Sequence, residues 1–150
     1  MTALTEQTPS VNDYPLRATD TIRYADTDRQ GHINNAVFAT FLESGRCALL
    51  YDSETPLMDD GAAFVIARLS LDFLGEINWP GQVDIGTRVA KVGRSSITLD
   101  QGIFQNGACV ARAESVIVQM NEETRRSAPL SESAVRRLSE LTIAPSGNAV

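Results

Sequence analysis

Soft metal ligands are scarce in this chain: its 150 residues carry two cysteines, Cys47 and Cys109, and one histidine, His32. Two cysteines form no disulfide framework and read as free thiols, one in a helix and one in a strand. One histidine and two distant cysteines make no ligand cluster for a structural metal. Long apolar runs are missing too. No segment approaches the roughly 18 apolar residues a membrane span requires, and the opening "MTALTEQTPSVNDYP" lacks the apolar core of a signal peptide. The expectation is a soluble, cytoplasmic protein. Basic residues are outnumbered, 13 against 19 acids for a net charge of −6, which argues against general binding to nucleic acid or an anionic membrane. A small anionic ligand is compatible with this charge if arginines gather locally.

What is present fits one domain, long enough to bury most of its apolar surface without disulfides. The polar or small-residue ends, "MTALTEQTPS" and "TIAPSGNAV", read as frayed termini. This places a disordered tail at 1–15, a single domain at 16–142 and a second tail at 143–150.

Leu16 to Tyr24 mixes β-branched and polar residues and reads as a first strand. From Asn34 the pattern becomes helical: Val37, Phe38, Phe41, Leu42, Leu49 and Leu50 recur at helical spacing with few charges between them. That describes a mostly buried helix. Gly45 inside it costs stability unless a neighbouring backbone approaches closely, so tight packing is expected there. From Ala62 the period is two. In "ARLSLDF" the residues Ala67, Leu69, Leu71 and Phe73 alternate with polar ones, as in a half-buried strand. Turns at "NWPGQ", "GRSS" and "QNGA" then separate three further strands, with Asn106-Gly107 as the best short hairpin signal. The short connections predict a four-stranded antiparallel meander, followed by a short amphipathic helix N-capped by Ser131. A helix apolar on most sides must be covered on most sides, so the expected class is α+β: a curled antiparallel β-sheet wrapped around one long central α-helix.

The stretch "RYADTDRQGHINNAVF" falls where the first strand ends and the central helix begins, so Asp26 to Ile33 is the connecting loop. Free N–H groups of the first helical turn point into that region and favour negative charge. A carbonyl lodged against them is polarised as in an oxyanion hole. Gly31 lets the loop approach a ligand, and Asn34 or Asn35 is a natural N-cap.

"DTDRQGHINN" followed by "VFATFLESGR" resembles the loop and helix start of the hot-dog-fold thioesterases, specifically the 4-hydroxybenzoyl-CoA thioesterase-like group and its acyl-CoA thioesterase relatives. Plant acyl-carrier-protein thioesterases carry a similar run. The resemblance spans Leu16 to Leu141 in element order and is specific as sequence over Arg23 to Arg46. It implies the hot-dog fold and hydrolysis of an acyl-CoA to a free acid and CoA. No cofactor is implied, since coenzyme A enters as part of the substrate. Asp28 takes the place of the catalytic carboxylate, acting as nucleophile through a mixed anhydride or as general base. His32 matches the catalytic histidine of the acyl-carrier-protein enzymes, a position that is apolar in the benzoyl-CoA type. Asn35 falls where the family's backbone N–H holds the thioester carbonyl. Arg94, Ser95 and Ser96 lie in a turn where relatives contact coenzyme A, and guanidinium and hydroxyl groups suit phosphate oxygens. The family also builds its sites at a subunit interface, which implies a homodimer or a dimer of dimers.

Each residue has a plainer reading. Asp26 is taken as a structural acid at a helix start. His32 is a structural donor or a catalyst, and the side chains of Asn34 and Asn35 are caps. Glu43 and Arg46 form a supporting ion pair. Arg94 to Ser96 are an exposed turn, and Arg125 and Arg126 are solvated charge. Two rival functions stand beside acyl-CoA hydrolysis: an acyl-carrier-protein thioesterase and a non-catalytic acyl-CoA-binding module.

Overall fold

The structure, a computed structural model, describes residues 8–142. The chain forms β1 (Leu16–Ile22), a 3-10 turn (Tyr24–Asp26), α1 (Asn35–Leu50), β2 (Ala62–Phe73), β3 (Gly81–Val92), β4 (Ser96–Gln105), β5 (Ala108–Asn121) and α2 (Glu132–Ser139). One antiparallel sheet of order β1-β3-β4-β5-β2 curls around α1, the hot-dog arrangement. Asn34 caps α1, its side chain accepting from the Ala36 N–H at 3.0 Å. Ser131 caps α2 in the same way through the Ala134 N–H.

The meander holds for β3, β4 and β5 only. Asn106 and Gly107 make the β4–β5 hairpin with φ of 52° and 83°, the left-handed values that a two-residue turn of this hand needs. β2 does not join β3 as its neighbour; it pairs with β5 at the far edge. Its connector to β3 carries the fully buried Ile77, whose carbonyl accepts from Ile33 N–H at 3.0 Å, so it is tied to the loop before α1 rather than folded as a hairpin turn. Within β2 the pairing shifts between Ile66 and Arg68, which leaves Ala67 as the bulge residue. Ile66, not Ala67, therefore shares the inner face with Leu69, Leu71 and Phe73.

Phe38, Phe41, Leu42 and Leu49 of α1 are almost wholly buried against residues of β1, β3, β4 and β5. Burial of each contributes about 1.5–3 kcal/mol, which outweighs the roughly 1 kcal/mol that Gly45 costs the helix. The tight packing expected at Gly45 is found, against side chains rather than a backbone: a Cβ there would lie 2.5 Å from Ile85 Cγ2 and 2.8 Å from Gln101 Nε2. α2 and Leu141 close the far end of the core beside Val89, Ile97 and Leu99. The N-terminal tail boundary at 15 is corrected by Tyr14, which is buried, lies over Gly86 and Gly102, and meets Phe104 edge-on at 5.9 Å. Glycine on two adjacent strands leaves the groove this ring fills. Residues 1–7 and 143–150 of the expected tails lie outside the described residues. Among the described residues no helix is long and apolar enough to cross a membrane, and Cys47 and Cys109 are free thiols.

Candidate active site

Between β1 and α1 the chain closes a tight turn on itself. Thr27 bridges Ile33, the Asp28 N–H donates to the His32 carbonyl at 2.7 Å, and the Gly31 N–H donates to the Asp28 carbonyl at 3.1 Å. Gly31 has a φ of +83°, which a glycine adopts without strain. Two backbone donors, Gln30 N–H at 2.8 Å and His32 N–H at 3.2 Å, hold Asp28 Oδ1. Oδ2 takes no protein hydrogen bond among the described residues. The carboxylate is thus held by one oxygen and open at the other.

Asp26 has a different job. It is 4 % exposed, its Oδ2 accepts from the Arg23 N–H and its Oδ1 from Arg23 Nη2, both at 2.9 Å, while its carbonyl accepts from the Asn34 N–H. Burial pushes its carboxyl up, but the hydrogen bonds and charge of Arg23 overcome that and hold it below the usual carboxylate range. An acid lowered on folding stabilises the fold above the ordinary carboxylate range, and the contribution is lost as pH falls through its lowered value. At neutral pH the Asp26 carboxylate therefore holds the 3-10 turn through Arg23, while its carbonyl ties that turn to the helix start, the structural part expected of it.

At that helix start the Ala36 N–H is taken by the Asn34 side chain and the Val37 N–H by the Asn34 carbonyl. Asn35 N–H has no acceptor among the described residues, so it is a free donor at the positive end of α1. Asn35 and Asp28 line one cavity of about 320 Å³, together with Gln30, His32, Ile33, Phe38, Phe73, Gly75 and Glu76. Its apolar wall is the pair Phe38 and Phe73, edge to face with ring centroids 5.0 Å apart. His32 reaches across to the β2–β3 connector, where its Nε2 lies 3.2 Å from Glu76 Oε2. An open carboxylate, a free backbone donor and an imidazole–carboxylate pair in one cavity suit attack on a carbonyl and stabilisation of the resulting oxyanion.

Of the sequence-derived residues, Asp28, His32 and Asn35 share this cavity. Gly31 and Asn34 shape the loop and the helix start without lining it. Arg94, Ser95 and Ser96 are not brought to it within one chain. They form the β3–β4 turn at the opposite end of the sheet, tied by Gly93 N–H to Ser96 O, Gln119 N–H to Ser95 O and Leu130 N–H to Arg94 O. Strand β3, whose Gly81 pairs with Ile22 beside the loop, separates the two places by roughly 35 Å at the usual strand rise. Arg125 and Arg126 share that distant end.

The Glu43–Arg46 ion pair is also corrected. Glu43 is exposed, whereas Arg46 is 7 % exposed and turned between α1 and β2 beside Phe64, Ile66 and Ile117, with Nη1 buried and unpartnered. Burial pulls the Arg46 guanidinium below its ordinary pKa, against the opposing charge of Glu43. Sequence reasoning missed Phe73 and Glu76 as site residues and read Phe38 only as core. Nothing in "DFLGEIN" links Glu76 to His32, because their meeting depends on the connector crossing to the loop. Among the described residues no group of three or more potential metal ligands is present.

The family model described as "Thioesterase-like superfamily" matches residues 22–138. A thioesterase from Thermus thermophilus, solved with coenzyme A and Zn, is similar at 32 % identity over 83 % of this chain and 98 % of its own, with a TM-score of 0.73. A predicted thioesterase from Bacillus stearothermophilus is similar at 27 % identity, covering 86 % of this chain and 97 % of its own, with a TM-score of 0.75. The PA5185 protein of Pseudomonas aeruginosa shares the fold at 21 % identity, with a TM-score of 0.80 over 91 % of this chain and 97 % of its own. No curated protein matches the chain.

Proposed function

The chain belongs to the thioesterase-like superfamily and is a thioester hydrolase, and on that premise we propose that its substrate is an acyl-CoA, split at Asp28 to a free acid and CoA. The observation that carries this reading is that Asp28, whose Oδ2 is open, and Asn35, whose N–H is free, line one cavity. A thioester carbonyl seated on the Asn35 N–H gains positive character at carbon, and the oxyanion formed on attack is held by that donor and the α1 dipole. Asp28 either takes a proton from the attacking water or attacks directly to give a mixed anhydride that water then opens. Each route consumes one water and releases one acid and one thiol. The leaving thiolate needs a proton, and the group we assign to deliver it is the imidazole of His32, whose Nε2 lies 3.2 Å from Glu76 Oε2 on the same wall. Coenzyme A as the thiol is supported by the Thermus protein, which was solved with it. The carrier is tested by offering one acyl group on coenzyme A and on acyl carrier protein. Faster thiol release from the CoA ester is expected, and turnover confined to the carrier protein would overturn the choice.

The functional unit in this reading is a homodimer, or a dimer of such dimers. β2 is a 12-residue edge strand, and its inner face leaves Ile66 49 %, Leu69 37 % and Phe73 50 % exposed. Soluble proteins rarely leave so long and apolar an edge unpaired. A second copy paired antiparallel along β2 satisfies the free backbone groups through an isologous contact. The same two-fold brings the Arg94 end of one sheet toward the Asp28 end of the other, where the arginine and the serines of that turn meet the phosphates of a CoA ester. Light scattering is expected to give about twice the 16.2 kDa chain mass or a multiple of that. An active monomer at assay concentration would contradict the shared site.

A further inference from the structure

Phe73 has two neighbourhoods. On one side its ring lines the Asp28 cavity, edge-on to Phe38. On the other it begins the inward-facing row of β2, followed by Leu71, Leu69 and Ile66, which pair with the buried Ala113, Ser115 and Ile117 of β5. Ile66, Leu69 and Phe73 of that row stay exposed, while Leu71 is partly buried against the core. The row forms a trench running roughly 20 Å along β2 from Phe73 to Ile66, apolar except for Arg46 beside Ile66 at its far end and continuous with Phe73 in the candidate site.

The cavity on the near side is small. Its approximately 320 Å³ stands at the low end of the roughly 300–1,000 Å³ of ligand pockets, which suits a short to medium acyl chain. We propose that the ring of Phe73 sets the acyl-chain length by closing this cavity against the trench, so that longer chains are admitted only when the ring is cut back. Leu71 and Leu69 then offer the added methylenes an apolar wall. The inference rests on the thioester-hydrolase reading of the cavity and adds to it a substrate class, short to medium acyl thioesters, and the residue that fixes the limit.

Phe73 is half-exposed and carries little of the core, so truncation leaves the fold standing; Phe73→Leu, which keeps an apolar branch, guards against loss of strand pairing. Thiol release from octanoyl-CoA and dodecanoyl-CoA is measured for the unaltered chain, Phe73→Leu and Phe73→Ala. The dodecanoyl-to-octanoyl ratio of kcat/KM is expected to rise about tenfold or more in Phe73→Ala, with Phe73→Leu between, in line with what apolar pockets discriminate. An unchanged ratio across the three proteins overturns the proposal. If neither ester is hydrolysed by any of them, acyl-CoA hydrolysis fails separately, and calorimetric binding of the same two esters decides the length limit. A relative gain for dodecanoyl-CoA in Phe73→Ala then supports it, and equal relative affinities overturn it.

Discussion

Asp28→Asn is expected to lower turnover by about a hundredfold or more, the lower end of what a positioned acid or base contributes, while the protein stays folded. The geometry separates the two effects. An asparagine carbonyl oxygen still accepts from Gln30 N–H and His32 N–H, the bonds that hold the turn. Only the open oxygen is replaced, by an amide nitrogen that is neither base nor nucleophile. Steady-state thiol release beside thermal unfolding checks both halves, and near-normal turnover by a folded variant would remove Asp28 from the mechanism. His32→Ala ranks the second group. A loss approaching that of Asp28→Asn places proton transfer on the imidazole, whereas unchanged kinetics reduces the 3.2 Å contact with Glu76 to loop support.

Gly45→Ala is expected to destabilise the fold by about 1–3 kcal/mol, although alanine is the better helix former by roughly 1 kcal/mol. The added methyl would stand 2.5 Å from Ile85 Cγ2 and 2.8 Å from Gln101 Nε2, well inside the approximately 3.5–4.0 Å of favourable contact between carbon atoms. Gln101 has nowhere to retreat. It is fully buried and its amide donates to the Leu42 carbonyl of α1 at 3.1 Å and to Thr87 Oγ1 at 3.0 Å, so the helix and the sheet are joined at this point. Chemical denaturation gives the difference directly. A variant as stable as the parent would mean that α1 stands farther from β3 and β4 than described.

These two residues also show what the sequence made legible and what it did not. The cap at Asn34, the apolar stripe of α1, the cost of Gly45 and the Asn106-Gly107 hairpin are local signals, each settled by neighbours within a turn or two of chain. That Asp28 and Asn35 share one cavity was legible because one loop and one helix start carry both, within eight residues. Glu76, Phe73 and the true neighbour of β2 were not, because each depends on where a connector crosses after the sheet has curled. Arg46 failed for a related reason: spacing of three residues from Glu43 is compatible with a surface pair, but the apolar side of α1 passes under it and takes the guanidinium inward. The turn at Arg94 was placed correctly as a turn, yet strand length alone puts it out of reach of Asp28 in the same chain.

The central claim, hydrolysis of an acyl-CoA at Asp28, is met most directly by following octanoyl-CoA with the purified protein and counting free thiol and octanoic acid together. Many turnovers are expected, with one thiol and one acid formed per ester consumed and neither formed above background by Asp28→Asn. Octanoyl-CoA that binds but is returned intact, or equal product from both proteins, would contradict it.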